Sequence, residues 1–323
     1  MDYGKVITES FNIFLKHRSL WVFGIMAAIF GQSDYSFSVN YQESVSFSPG
    51  DVPSLEDFPF PFQNTVFTNF LENPIPYIAV AISISLVWWV ISNIFGWLAQ
   101  GAMIGMVDEA DRIGSTSLGS GWRTGVNRLF PLFVITLLLA LPALIAVIPA
   151  VIWGLQVLSQ FLEFFTNPNP EQSFESIFPL LMSGLACLVP LICLGGLMGW
   201  VLGLLNQIAA RSCVLESLGV IDSIKRGWRV MMSNLGYTLL TWLILVVTGM
   251  IFGFVAAMPA LVLWIPTARA MMHGNWSATS TVIALIMGVY FIIAVVGIGG
   301  MLTSFNSTLW TKSYKAFVAN IEA

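Results

Sequence analysis

The residue types able to do chemistry in this chain are few and scattered. His17 and His273 are its two histidines, and the charge pattern places them on opposite faces of a bilayer, where they could not share a site. Cys187, Cys193 and Cys213 show neither metal-ligand spacing nor a disulfide framework, and read as small apolar packing residues. No G-x-S-x-G elbow and no H-E-x-x-H pair occurs. Catalysis needs nucleophiles, acids, bases or metal ligands facing a cavity. The expectation is therefore a protein that is not an enzyme, with no catalytic residue, no metal and no cofactor.

Two other sets of polar residues could act on something. Lys16 and Arg18, Arg123 and Arg128, and Lys225, Arg226 and Arg229 each lie beside apolar and aromatic residues. Cations in that setting are candidate contacts for lipid phosphates. The second set is Gln100, Asn206, Gln207 and Asn306, the last followed by Ser307 and Thr308. These could converge as a polar vestibule around an axis, or they could clamp helices together by hydrogen bonds at headgroup level.

The elements that position these residues follow from composition. Of 323 residues, 57% are hydrophobic and 9% charged, against about 25% charged in soluble domains. Stretches without Asp, Glu, Lys or Arg run over 19–33, 73–107, 129–162, 176–210, 230–268 and 270–311. A helix needs roughly 20 apolar residues to cross the hydrocarbon core. The reading is an all-α polytopic transmembrane bundle of six spans, the first of them short, with its dense apolar core at Leu20 to Phe30.

The basic residues set the topology. Placing 1–18, 108–128, 211–229 and 312–323 on one side gathers every Lys and Arg there except Arg269, twelve of the 13. The other side holds nine acids, from Asp34 to Glu175. That asymmetry predicts a multi-pass protein of the plasma membrane with both termini cytoplasmic, and a basic inner face suited to anionic lipid rather than nucleic acid. No small-residue cleavage site follows the first apolar run, so a cleavable signal peptide is not expected.

The chain reads as a single membrane domain, 1–323, built of three repeats: 1–107, 108–214 and 215–323. Each has an amphipathic lead-in, a span, an outer loop and a second span. Trp122-Arg123 followed by Leu129 mirrors Trp228-Arg229 followed by Leu235, and Pro142-Ala143-Leu144 mirrors Pro259-Ala260-Leu261. Apolar stripes mark the lead-ins: Tyr3, Ile7, Phe11 and Phe14; Leu118, Trp122 and Val126; Val214, Leu218, Ile221, Ile224, Trp228 and Met231. Such helices either lie in the membrane interface or pack on protein. The one sizeable outer segment, about 33–75, is acidic and rich in Ser, Pro and Phe. Prolines 142, 149, 190, 259 and 266 are the expected kink points. Gly195, Gly199 and Gly203 form a small-residue row, as do Gly249, Gly253 and Ala257, and both are expected to pack inside the bundle or between copies.

The run Gln207-Ile208-Ala209-Ala210-Arg211-Ser212, then Gly219-Val220-Ile221-Asp222-Ser223-Ile224-Lys225-Arg226-Gly227-Trp228, resembles a group of bacterial six-helix membrane proteins. So does the ending from Phe305-Asn306-Ser307-Thr308-Leu309-Trp310 through Lys315-Ala316-Phe317. The group includes the membrane domain attached to some glycerophosphoryl diester phosphodiesterases, and stand-alone proteins of unassigned function. The phosphodiesterase domain is missing here, so the resemblance implies a helical inner-membrane module and no catalytic residue. Mitochondrial solute carriers also have three repeats, but neither Pro142 nor Pro149 is followed by their Pro-x-acid-x-x-base signature.

The functional expectation is a non-catalytic integral membrane module that binds lipid or a protein partner, as a scaffold or anchor at the cytoplasmic face. The alternative is a permease or channel for a lipid or weakly polar small molecule. A third reading is a subunit of an enzyme whose chemistry lies in another chain. Membrane lipids, a partner protein or a homo-oligomer are the expected partners.

Overall fold

The computed structural model describes residues 3–30, 74–166, 170–272 and 278–322. Every regular element among them is helical. In chain order these are α1 (Tyr3–Lys16), α2 (Ser19–Ile29), α3 (Pro74–Ile113), α4 (Leu118–Thr166) and α5 (Pro170–Leu215). There follow α6 (Val220–Ser233), α7 (Leu235–Met272), α8 (Ala278–Ile293) and α9 (Gly299–Glu322), with a π-helical turn at Ala294–Ile298 joining the last two. The expected outer segment at 33–75 and His273 lie outside the described residues, apart from Pro74 and Ile75 at the start of α3.

Four helical segments are long and apolar enough to cross a membrane: Ala79–Ile113, Leu118–Pro142, Cys193–Leu215 and Leu235–Ala256. The first apolar run forms only the short α2, Ser19–Ile29. Near the start of α3, successive side chains from Ile82 to Trp89 are exposed on every side of the helix, with Trp88 at 55% and Trp89 at 65%. Water would penalise that surface at about 25 cal/mol per Å², whereas hydrocarbon accepts it. The chain is a membrane protein. Pro131, Pro142 and Pro149 sit inside the continuous α4.

The described chain divides into two compact units: 1–24, 97–251 and 304–323 form the first, 25–96 and 252–303 the second. The core of the first is built around α9. From Ser304 to Phe317 most of α9 is buried, and Leu309, Trp310, Tyr314 and Phe317 pack with Val6 of α1, Leu204, Leu205 and Ile208 of α5, Val230 and Met231 of α6, and Leu245 of α7. A smaller cluster joins Trp97 and Ile104 of α3 to Leu132 of α4 and Val214 of α5.

Much of the α9 core is hydroxyl-bearing. Thr308 donates to the Ser304 carbonyl at 2.8 Å, and Thr311 to that of Ser307 at 2.7 Å. Bonded back into their own helix, these groups sit in the core at little cost. Ser304 Oγ instead donates to the Leu20 carbonyl at 3.0 Å, tying α9 to α2.

Close crossings are made by glycines that the sequence pattern did not single out. At Gly125 a Cβ would stand 2.5 Å from the Leu98 carbonyl oxygen, and at Gly101 it would meet Leu132 and Gly125. Gly101 and Gly105, four apart on α3, thus meet Gly125 and Thr124, neighbours on α4. The row at Gly199 and Gly203 has nothing within 4 Å of an added Cβ. It does not pack inside the bundle among the described residues.

In the second unit, the Phe30 ring stacks on Phe95 at 4.7 Å and approaches Trp88 at 5.9 Å. Tyr290 donates its hydroxyl to the Ala256 carbonyl at 2.7 Å.

Candidate lipid-facing site

The third lead-in is split by a turn. Val214 belongs to α5, which ends at Leu215, and Leu218 lies in the turn before α6. Ser217 has φ 55°, the left-handed conformation that stops a helix. The expected single stripe from Val214 to Met231 is therefore two surfaces on two helices. Gly219 stands at the N-cap of α6 and Asp222 in its first turn, where an acid meets the positive helix end.

α6 has a clear inner and outer face. Ser223, Gly227, Val230 and Met231 are buried. Gly227 lies against Ala209 of α5, where a Cβ would be 3.0 Å from the Ala209 Cα. Ser212 Oγ donates across the same contact to the Ser223 carbonyl at 3.0 Å. Exposed on the outer side are Ile221, Lys225, Trp228, Arg229, Met232 and Ser233. Between this side and α5 runs a groove of about 570 Å³, lined by Leu205, Ile224, Lys225, Trp228, Arg229, Met232 and Ser233.

The second lead-in repeats part of this arrangement. Ser117 Oγ accepts the Ser120 N–H at 3.2 Å, and the Ser120 hydroxyl accepts the Ser117 N–H at 3.4 Å, a reciprocal cap that starts α4. Gly121 is buried against Met106 and Phe23. Trp122 is 48% exposed and Trp228 47%. Arg123 and Arg229, which follow them, are both exposed. On α1, Val6, Ser10 and Phe14 face inward, while Phe11 and Leu15 face out.

The cations named from the sequence fall into two groups. Lys16, Arg18, Arg123, Lys225 and Arg229 are exposed, and the Arg18 guanidinium stands 6.0 Å from the Trp21 ring. Arg128 and Arg226 turn inward. Arg128 donates to Ser217 Oγ at 2.7 Å. Arg226 pairs with Glu216 and with Glu322, each at 3.2 Å. Burial works against its charge, but Glu216, Tyr314 and Glu322 outweigh it and hold the guanidinium pKa above its usual value. Tyr314 donates its hydroxyl to the same Glu216 carboxylate, and burial first, then that carboxylate, push its pKa up. Lys225 and Arg229 of the named cations share the groove between α5 and α6.

A second ionic cluster joins α1, α3 and α9. Lys312 pairs with Glu9 at 2.6 Å and Asp111 at 2.7 Å; Lys315 pairs with Asp108 at 2.8 Å and Asp111 at 2.7 Å. Burial disfavours the Lys312 charge, yet Asp111 and Glu9 prevail and raise its pKa.

The named amides are distributed over three helices. Gln100 is half-buried on α3. Thr136 donates to Asn206 Oδ1 at 3.4 Å, linking α4 to α5. Gln207 accepts from Arg211 Nη1 at 2.8 Å, and the fully buried Arg211 stands 5.9 Å from the Trp310 ring. Asn306 is buried in α9. Among the described residues, no three His, Cys, Asp or Glu side chains group as metal ligands.

Sequence reading missed Asn234. It is buried, donates Nδ2 to the carbonyls of Val230 (3.2 Å) and Phe317 (3.4 Å), and accepts from Asn320 at 3.0 Å. Its signal was a lone asparagine between an amphipathic run and a charge-free one. No curated protein and no solved structure matches the chain. A family described as Domain of unknown function (DUF7847) matches residues 58–317, most of the chain, and the protein belongs to that family.

Proposed function

We propose that the protein is a non-catalytic integral membrane module whose lead-in helices lie in the cytoplasmic interface and engage anionic lipid. One observation carries this. In both Gly-Trp-Arg segments the glycine face is buried on protein while the tryptophan is about half exposed, with an exposed arginine beside it. A water-facing helix packed on protein has no use for that outer face. Indole at headgroup depth with a cation reaching phosphate suits an interface.

The same reading takes six spans in three repeats, with both termini cytoplasmic. Support for the sixth span is the unbroken helical run of α8, the π turn and α9. For the first, α1 and α2 are tied together by Trp21 Nε1 donating to the Phe14 carbonyl at 3.0 Å. The likeness to phosphodiesterase-linked membrane domains agrees with a module that anchors or presents something near lipid. The permease reading asks Gln100, Asn206, Gln207 and Asn306 to line a path. The bonds of Asn206 to Thr136 and of Gln207 to Arg211 favour helix clamping instead.

Nitroxide labels on the full chain in lipid discs test the interfacial reading. A label at Ile221 is expected to be reached by oxygen and shielded from aqueous nickel, and one at Asp222 the reverse. Equal aqueous access at both overturns the reading. For topology, tags at Met1 and Ala323 should report from the same, cytoplasmic, side; opposite sides refute it.

A further inference from the structure

The groove between α5 and α6 carries two parallel rows. On α6, Lys225, Arg229 and Ser233 are each four residues apart, and so are Ile224, Trp228 and Met232. Residues four apart stack on one helix face, so the first row is a polar, basic edge. The second is an apolar edge one position behind it. Leu205 of α5, almost fully buried, closes the apolar side.

The charge on the polar edge is available. Three basic residues stand together in the sequence, but Arg226 is already neutralised by Glu216 and Glu322. Among the described residues, neither Lys225 nor Arg229 forms an ion pair, while Asp222, the acid of α6, stands one turn before Lys225 on the exposed surface. Two like charges one turn apart on a helix repel. One phosphate between them removes that repulsion and gains charge-assisted hydrogen bonds from both, with the Ser233 hydroxyl within the same row.

We propose that the groove holds one anionic phospholipid of the surrounding leaflet, its phosphate on Lys225 and Arg229 and an acyl chain along Ile224, Trp228, Met232 and Leu205. This rests on the interfacial placement of α6 proposed above. Free phosphate would use only the polar row. The apolar row beside it selects an amphiphile. The second lead-in lacks the arrangement: four residues after Trp122 comes the apolar Val126, where α6 has Met232, but four before Arg123 comes Gly119, where α6 has Lys225, so no second cation shares its row.

The test uses the full chain in phosphatidylcholine discs containing a minority of phosphatidylglycerol, stripped and weighed by native mass spectrometry. One phosphatidylglycerol is expected to remain on the wild type. Lys225→Gln with Arg229→Gln should weaken its retention at least roughly tenfold, the loss of about one charge-assisted contact. Met232→Trp keeps both charges and fills the groove, and should also lose the lipid. Arg123→Gln should keep it. Inorganic phosphate should not displace it.

The proposal is overturned if the wild type retains no single phosphatidylglycerol, if the double variant retains it unchanged, or if phosphate alone competes. Diffuse enrichment of phosphatidylglycerol that falls with each exposed cation alike would sink the groove and leave the interfacial reading standing. Label accessibility at Ile221 and Asp222, measured on the same discs, reports that reading separately.

Discussion

Two segments of this protein carry the same three residues, Gly121-Trp122-Arg123 and Gly227-Trp228-Arg229, and they end differently. Both bury the glycine and expose the tryptophan to nearly the same degree. After the first, α4 runs on without a break from Leu118 to Thr166. After the second, α6 stops at Ser233 and a new helix starts at Leu235. The position of Asn234 corresponds to Arg128. Asn234 turns its side chain onto the Val230 and Phe317 carbonyls and ends the helix. Arg128 reaches Ser217 and leaves the α4 backbone helical. The break thus falls where an asparagine finds partners on another helix, Phe317 and Asn320 of α9, and the groove is found on the separate helix.

The largest expected effect comes from closing the α3–α4 crossing under the first segment. Gly125→Ala sets a Cβ 2.5 Å from the Leu98 carbonyl, a backbone atom that cannot step aside. Overpacking of this kind costs about 1–3 kcal/mol, read as a lower unfolding temperature in detergent. Gly227→Ala, at 3.0 Å from Ala209, should cost less. The reverse ranking would show that the second contact is the tighter one.

Asn234→Leu should follow closely. It removes the donor to Phe317 and the acceptor for Asn320 in a buried place, at about 1–3 kcal/mol. Arg128→Asn puts the helix-ending residue into the first segment without those partners. It should lose the bond to Ser217 and up to about 0.7 kcal/mol of helix propensity, yet leave α4 continuous. Breakage of α4 in that variant would mean local sequence alone sets the end.

A smaller effect is titratable. Burial raises the Tyr3 phenol from 10.0 to about 12, against the bond it makes with Thr241, and its hydroxyl donates to the Tyr237 carbonyl at 3.0 Å. Because the folded pKa is the higher, this stabilisation is complete below pH 10 and is lost as pH rises towards about 12. Tyr3→Phe should flatten that part of the alkaline stability profile. An unchanged slope between wild type and variant would exclude Tyr3 as a source. Smallest of all, Arg123→Gln should change stability by less than about 0.5 kcal/mol, as for an exposed side chain away from special features.

Helix and membrane were legible in the sequence because both follow from local composition: long runs without charge can only cross lipid as helix. The outward stripes of Trp122 and Trp228 were legible for the same reason, through their spacing. The inward faces were not. Gly121, Gly125, Ser223 and Gly227 carry no hydrophobic signal, and their role appears only when a second helix stands against them. The row at Gly199 and Gly203 had the better small-residue pattern and packs on nothing among the described residues. Nor could spacing separate Arg226 from Lys225 and Arg229. Glu216 and Glu322, which bind it, come from the preceding turn and from the far end of the chain.

By itself the sequence determined that the chain is helical, that it lies in a membrane, and that its cations gather near amphipathic lead-ins. These are properties of short stretches read against water and hydrocarbon. Tertiary structure alone decided that α9 is the buried centre of its unit, that Asn234 ends α6, and that two of seven candidate cations line one groove. Such outcomes depend on which helix stands beside which, and a hydroxyl, a glycine or an arginine has no fixed meaning until its neighbour is in place.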